Sequence, residues 1–505
     1  MLTRLAAADA LSLHSQTSTT PAHTVTLIVI EGSDRLSHAR LHQLLASSLP
    51  RLARLRSRLV GKPFGIGRPV WAAIDGYDAT PQLHRATVQA PGGPRELAEL
   101  IAALSAGPRD GRQPLWEAWS IDGLADQRWG VAMTTSPVLG AFLSGAASVW
   151  PALLTDGPYD PDIDLPDDPS LGPAPSLAEL VYDAVSEIVE NHVTGVWLLA
   201  EAGTGAIRSV CRRLRGREVS QSVRPAASSM NGPVPHTLFN PPLTRRRAVA
   251  FASTPLADVE TVSNAFGGST ANVLLAACTL SLRAWLQRYD TLPGHPLLMQ
   301  VPLSLRGEDP VRNRNAFAVG EIRLPVQLDD PVQILTDLHT AAEMLTIARR
   351  DDTETANPAV DFATIASLVP PPVARAGIQV HRALRLRRGR TPVCHGRVSY
   401  IAGSPIPAFC AGARVVGMHT APPLSDGAGL NITMTAHNDV MDLCVSACPD
   451  NVPAVDEIAC GIAESVDSLV AAAQASPRGR GRSVVTELTT HVAKHDRRPG
   501  GLSDG

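Results

Sequence analysis

The sequence predicts a mixed α/β (α+β) protein built from two subdomains, and three observations carry that prediction. Short β-branched or apolar runs alternate with segments of helical periodicity. The alternation is broken once by a long stretch dense in proline and aspartate, and it restarts beyond that stretch. With 505 residues, 44% hydrophobic and 18% charged, each half has the apolar material to bury a core, and the charge content is too low for a disordered chain.

In the first half, Thr24 to Ile30 (TVTLIVI) is β-branched and lies between Pro21 and Gly32, which reads as a buried strand. From Arg40 to Leu59 leucines recur at helical spacing, with Arg51, Arg54 and Arg58 on the outer, solvated side. A further helix is expected from Arg95 to about Ser105, and a strand at Trp129 to Thr135, ended by Ser136-Pro137. These form a first subdomain over residues 1–155. Residues 156–176 (DGPYDPDIDLPDDPSLGPAPS) are a linker, because each proline removes a donor and fixes φ. A connecting region, 177–235, opens with a helix whose apolar face is Leu177, Leu180, Val181, Ala184, Val185, Ile188 and Val189. It continues as an irregular basic stretch from Arg212 to Pro235.

The pattern restarts in a second subdomain, 236–475. Strands are expected at Arg247–Ser253, Leu297–Leu303, Val398–Ile401, Leu430–Thr435 and Leu443–Ala447, with helices at Thr270–Leu286 and from Val455 to about Ala473. The tail, 476–505, is rich in Arg, Gly, Ser and Pro and reads as disordered.

A net charge of -3 provides no global field toward nucleic acid or an anionic membrane, and only 4% of residues are aromatic, with none interleaved among the basic runs. Only Lys62 and Lys494 are lysines, which points to a GC-rich genome. The run Arg382, Arg385, Arg387, Arg388 and Arg390 reads as a solvated segment; gripping a ligand's phosphates or an anionic lipid surface is its alternative use. Seven scattered cysteines without a CxxC pair give neither a disulfide framework nor a zinc site, so reduced, mostly buried thiols and no metal are expected. The N-terminus lacks the charged and apolar regions of a secretory signal. The longest apolar stretch, Ala141 to Leu154, is interrupted by Ser144, Gly145, Ser148 and Pro151, whereas a span needs about 20 apolar residues. A cytoplasmic protein is expected, with any membrane contact peripheral.

Several blocks then fall in a telling order. Leu5, Asp9 and Leu13 precede Pro21-Ala22-His23. Pro69-Val70-Trp71 is followed by Asp75, Asp78, His84 and Pro91-Gly92-Gly93, then by Pro114-Leu115-Trp116-Glu117 and Gly123-Leu124. Later come Phe239-Asn240, Arg246-Arg247, Gly267 to Leu275, Val301 to Arg306, Asn315, Leu324-Pro325, Gly412-Ala413 and Gly429 to Thr433. In this collinear order the sequence resembles the bacterial wax ester synthase/diacylglycerol acyltransferase family. The resemblance implies the CoA-dependent acyltransferase fold: two similar subdomains, each a mixed sheet with helices, and a tunnel at their interface. It also implies acyl-CoA as a substrate or ligand, an alcohol or diacylglycerol as acceptor, no separate cofactor, and work in triacylglycerol or wax ester metabolism.

The family's active site is a His-His-x-x-x-Asp-Gly run one strand after the Pro-Leu-Trp-Glu block. Here that place reads Thr134-Thr135-Ser136-Pro137-Val138-Leu139-Gly140, so both histidines are threonine, the aspartate is leucine, and only Gly140 survives. Acyl transfer to a hydroxyl needs a base with a pKa near neutrality, which histidine supplies and threonine does not. Losing a positioned base costs about 10²–10⁴-fold in rate. Leu139 also removes the aspartate that usually pairs with an arginine, leaving Arg306 as a candidate orphan. Other family positions drift as well: Ala271-Asn272 replaces asparagine-aspartate, Ser399 to Ser404 replaces Ser-Asn-Val-Pro-Gly-Pro, and Ala436-His437 replaces Ser-Tyr.

These losses predict a catalytically impaired homologue that binds acyl-CoA, an acyl lipid or an active acyltransferase paralogue. An active enzyme with a displaced base is the alternative, with His84, His419 and His437 as candidates; a scaffold without lipid binding is the third reading. Ser136 lacks the G-x-S-x-G elbow of a nucleophile. Trp71 and Trp116 read as core residues, and Gly267-Gly268 as a turn leading into a helix rather than a phosphate loop.

Overall fold

The computed structural model describes residues 2–6, 9–10, 13, 16–21, 23–107, 114–139, 153–155, 172–191, 233–303, 318–355, 376, 394–403 and 406–475. Its strands in chain order are β1 (Thr3–Arg4), β2 (Thr24–Ile30), β3 (Ser57–Val60), β4 (Val70–Ala73), β5 (Leu83–Thr87), β6 (Trp116–Asp122), β7 (Trp129–Thr135) and β8 (Ala248–Pro255). Then come β9 (Leu297–Leu303), β10 (Ala318–Leu324), β11 (Gly396–Ile401), β12 (Phe409–Cys410), β13 (Ala413–Ala421), β14 (Leu430–His437) and β15 (Val440–Ala447). The helices are α1 (His38–Ser48), α2 (Pro94–Ala106), α3 (177–191), α4 (Leu256–Phe266), α5 (Thr270–Tyr289), α6 (Pro331–Thr355) and α7 (Val455–Ala475).

A first six-stranded sheet has the order β12-β13-β2-β7-β6-β5, a second the order β10-β9-β11-β14-β15-β8, and β1-β4-β3 form a small third one. Strand β13 follows β11 of the second sheet in the chain, yet it pairs antiparallel with β2 from Val415↔Ile30 to Ala421↔Val25. That crossover anchors a segment from the second half of the chain in the first sheet through backbone hydrogen bonds.

Alternation along β14 and β15 divides the second sheet into two faces. Leu430, Ile432, Met434, Ala436, Met441, Leu443 and Val445 pack with α4, α5 and α7 in the largest core. Helix α7 is apolar and 21 residues long, but Ile458, Ala459, Ile462, Val466 and Leu469 are fully buried in that core, which accounts for its apolar character. On the first sheet, Ile28, Ile30, Trp116, Val131 and Met133 pack under Leu41, Leu44 and Leu45 of α1. The opposite face (Val25, Leu27, Val29, Ile121 and Ala132) packs with Leu97 and Ile101 of α2 and with Cys444 and Phe251 of the second sheet. The two subdomains therefore meet on that face.

The expected strands and helices are present, with two corrections. The helix expected from Arg40 to Leu59 stops at Ser48; two 3-10 turns and β3 follow. Pro50 has no amide hydrogen to continue the ladder and its ring crowds the preceding turn. Arg54 is not on a solvated side either, since its guanidinium lies 5.2 Å over the Trp71 ring.

The second correction concerns α3, whose apolar face points the other way. Leu180 and Ala184 are buried, but Leu177, Val181, Val185, Ile188 and Val189 are exposed, while Asp183 and Glu187 are buried. Cations set this orientation. The Lys62 side chain is fully buried, its Nζ lies 2.6 Å from Asp183 Oδ2, and it also pairs closely with Glu187. Arg4 reaches Asp183 at 2.9 Å, and Arg68 Nε donates to Glu187 Oε1 at 2.8 Å. Burial pushes both carboxyls up, but the Arg4 and Lys62 bonds to Asp183, and those of Lys62 and Arg68 to Glu187, outweigh it and hold both below the usual range.

Two of the sequence blocks meet here as well. Gly92 has φ +75, and a Cβ there would lie 2.2 Å from the Gly123 carbonyl oxygen, so only glycine fits this backbone crossing. Trp71 and Trp116 are core residues as expected, with Trp116 Nε1 donating to the Leu55 carbonyl at 2.6 Å. Five of the described cysteines are buried and Cys460 is exposed. The 156–171 part of the linker, the Arg382 to Arg390 run and the tail lie outside the described residues.

Candidate functional site

Strand β7 ends at the position where the histidine run is expected, and its register fixes where each substituted side chain sits. Thr135 lies opposite Thr24 and Trp116, on the α1 side of the sheet. Thr134 lies opposite Val25 and Glu117, on the face that meets the second subdomain. Both threonines are buried, and so is Leu139, which sits in a short 3-10 turn within the α1-side core. Gly140 and Arg306 lie outside the described residues. Neither hydroxyl can take up a proton near neutral pH.

The three candidate histidines occupy different places. His84, on β5, is half-exposed, stacks against Trp119 at 5.1 Å, and has Glu117 at 3.8 Å, beyond hydrogen-bond distance. His419, on β13, shares the face of Leu27 and lies 4.3 Å from the Phe251 ring. Burial lowers its proton affinity, and its Nδ1 has no hydrogen-bond partner among the described residues. A Cβ on Gly417 would sit 3.4 Å from His419 Nε2, so the ring leans toward Gly417 and away from Ala421, the β13 residue in register with Thr134 through Val25. Two strand spacings and one two-residue step put the Thr134 and His419 backbones about 12 Å apart. The structure therefore does not bring His419 to the Thr134 position.

His437 ends β14, and its Nδ1 lies 3.1 Å from Asp442 Oδ2 on β15, close enough for an ion pair though poorly aligned for a hydrogen bond. The same Asp442 oxygen accepts from the Met418 backbone N–H of β13 at 2.6 Å, so this carboxylate links the two sheets. Beside it, Asn431, Thr433 and Thr435 alternate with the core residues of β14 and share the junction face with His437. Asn431 Oδ1, Thr433 Oγ1 and Thr435 Oγ1 are sealed from solvent and have no hydrogen-bond partner among the described residues. Most buried polar atoms are paired, so a run of unpaired ones on one face marks a surface suited to a polar ligand. Sequence reasoning named His437 and missed Asp442 and this polar stripe. The period-two polarity of LNITMTAH carried the signal.

A serine-histidine-aspartate set also escaped the sequence reading. His38 Nδ1 lies 2.6 Å from Ser120 Oγ, His38 Nε2 lies 3.1 Å from Asp122 Oδ2, and His42 Nε2 reaches the same hydroxyl at 3.0 Å. Ser120 is buried beneath α1 with its hydroxyl engaged by both histidines of that helix, so the set latches helix to sheet.

Comparisons with known proteins bear on the whole chain. Residues 5–274 match the wax ester synthase/diacylglycerol acyltransferase catalytic domain, and residues 314–470 match the WS/DGAT C-terminal domain. Two Mycobacterium tuberculosis (strain CDC 1551 / Oshkosh) proteins, both bearing a diacylglycerol O-acyltransferase name, are similar along nearly their full length. One is 27% identical over 482 residues, covering 94% of this chain and 92% of its own. The other is 28% identical over 469 residues, covering 91% and 94%. The wax ester synthase/diacylglycerol acyltransferase from Marinobacter aquaeolei VT8 shares the fold, with a TM-score of 0.65 at 20% identity over 94% of this chain and 100% of that one. The chain belongs to the wax ester synthase/diacylglycerol acyltransferase family.

Proposed function

We propose that this chain is an acyl-CoA- or acyl-lipid-binding member of the family from which the histidine route of acyl transfer has been lost. The observation that carries this reading is the buried, hydroxyl-only end of β7, with Thr134 and Thr135 where the family's base is expected. The retained blocks support a preserved scaffold, because they meet in backbone contacts such as the Gly92–Gly123 crossing. Lipid metabolism is the setting that family membership supports. Contact with membranes or lipid bodies would then be peripheral, and an active paralogue is a natural partner for such a subunit.

The test is binding of palmitoyl-CoA to the purified protein by calorimetry, beside transfer of its radiolabelled acyl group to diolein and to hexadecanol. Saturable binding is expected, with transfer to these acceptors slower by at least about 10²-fold than in a histidine-bearing relative. Failure to bind palmitoyl-CoA would overturn the reading, and so would transfer at the relative's rate. A second reading, transfer from a displaced base, is favoured by the pairing of His437 with Asp442.

A further inference from the structure

Of the three histidines on or near the junction, only one has the surroundings of a base. His84 has its carboxylate beyond hydrogen-bond reach, and His419 is sealed against Phe251, where it feels the Asp442 charge but forms no ion pair with it among the described residues. At His437 an acid lies 3.1 Å from Nδ1, and that acid is itself fixed by the Met418 amide. A fixed negative charge this close to Nδ1 stabilises the imidazolium that forms when the other nitrogen accepts a proton. Thr435 lies directly opposite Asp442 in the ladder, and Thr433 lies one step along the same face, each with a hydroxyl that has no partner among the described residues. Hydroxyls both donate and accept, so this stripe suits an uncharged hydroxylated group better than an anion.

We propose that His437, beside the Asp442 carboxylate, is the general base of an acyl-transfer site displaced from the end of β7 onto the junction face of the second sheet. Its acceptor is a hydroxyl-bearing molecule whose other polar atoms are met by Thr433 and Thr435. This rests on the acyl-CoA-binding reading above. The acceptor O–H proton passes to His437 Nε2 as the oxygen attacks the carbonyl carbon of an acyl thioester. The tetrahedral intermediate then collapses with cleavage of the C–S bond, and the imidazolium returns its proton to the thiolate sulfur. Alcohol and acyl thioester become ester and thiol, with nothing else consumed. His437 is the catalytic residue of this step, and Asp442 acts through it by stabilising its protonated form.

The experiment uses the full chain and palmitoyl-CoA, with glycerol, monoolein, diolein and hexadecanol as acceptors. Palmitoyl-CoA binding is measured separately by calorimetry. His437→Gln is expected to lower kcat by about 10²–10⁴-fold while palmitoyl-CoA binding stays within about two-fold. Asp442→Asn is expected to lower kcat and shift the acidic limb of the kcat/KM profile, whereas His419→Gln retains transfer. Where His437→Gln fails to fold, carbethoxylation of the wild type mapped by mass spectrometry provides the same readout, with transfer lost in proportion to modification of His437. Palmitoyl-CoA binding with no transfer to any of the four acceptors overturns this inference and leaves the binding reading standing. Transfer that survives His437→Gln also overturns it, whereas absence of palmitoyl-CoA binding overturns both.

Discussion

Lys62 is one of two lysines in the chain, and its side chain is fully buried between two carboxylates of α3. Replacing it with methionine keeps most of the stem's volume and removes only the charge. Asp183 then keeps Arg4, and Glu187 keeps Arg68, but each loses the buried cation that offsets its desolvation. Removing one member of a buried pair typically costs about 3–5 kcal/mol, because the remaining charge stays in a poorly solvating site. Lys62→Met is therefore expected to lower the free energy of unfolding by about that much in urea titrations. Amide exchange over 177–191 should rise at the same time, since the clamp holds α3 with its apolar side outward. A second change, Glu187→Leu in the same background, should recover a large part of the loss, because a buried ion pair exchanged for apolar groups is often near neutral. A cost under about 1 kcal/mol, with exchange over 177–191 unchanged, would refute the reasoning, because that is how an exposed ion pair behaves.

Two further outcomes follow from the same kind of bookkeeping. Asp183 and Glu187 titrate below their ordinary range in the folded chain, so their stabilisation is complete above the unfolded carboxylate pKa and is lost as pH falls through the folded values. Urea midpoints should thus hold steady from pH 7 to about pH 5 and drop below about pH 4, and Lys62→Met should flatten that drop. Ser120→Ala should cost about 1–3 kcal/mol, since it leaves His38 and His42 without the hydroxyl between them; equal stability of variant and wild type would remove the latch assigned to this cluster.

The parts of the scaffold that were legible in the sequence are those whose signals are local. The β-branched run of β2, the periodic α5 and α7, and the alternation in β14 each report the environment of a single element. The Pro50 break was visible as a residue type, yet the leucine spacing on either side of it concealed the end of the helix. The orientation of α3 was not legible at all. Its apolar spacing is real, but Lys62, Arg4 and Arg68 come from segments more than a hundred residues away and claim the acidic side. The same limit explains Asp442. Its partnership with His437 lies across a hairpin, and its bond to the Met418 amide depends on β13 crossing into the other sheet. The departure of Thr134, Thr135 and Leu139 from the expected histidine run was readable because that run is contiguous, and the structure added which face each threonine occupies.

That addition sharpens the most direct repair experiment, which would write Thr134→His, Thr135→His and Leu139→Asp back into the chain. The first change faces the junction, the second faces the α1 side, and the third enters a fully buried apolar core. Leu139→Asp removes a packed side chain, which by itself costs about 2–5 kcal/mol for truncations of this size. It also buries a carboxyl, which burial drives toward its neutral form unless a cation meets it. Without a partner, the introduced carboxyl would have a raised pKa, so the folded chain would bind a proton that the unfolded chain releases above about pH 4. The deficit of the single variant should therefore be larger at pH 7 than at pH 4 in urea titrations. An arginine waiting in place would reverse that trend by lowering the carboxyl's pKa, and the deficit would shrink toward neutrality. The first outcome means the pocket has closed around leucine, so an inert triple variant would reflect damaged packing rather than missing chemistry. The second would mean that the aspartate's partner has outlived the aspartate, leaving the histidines as the part of the old site still to be restored.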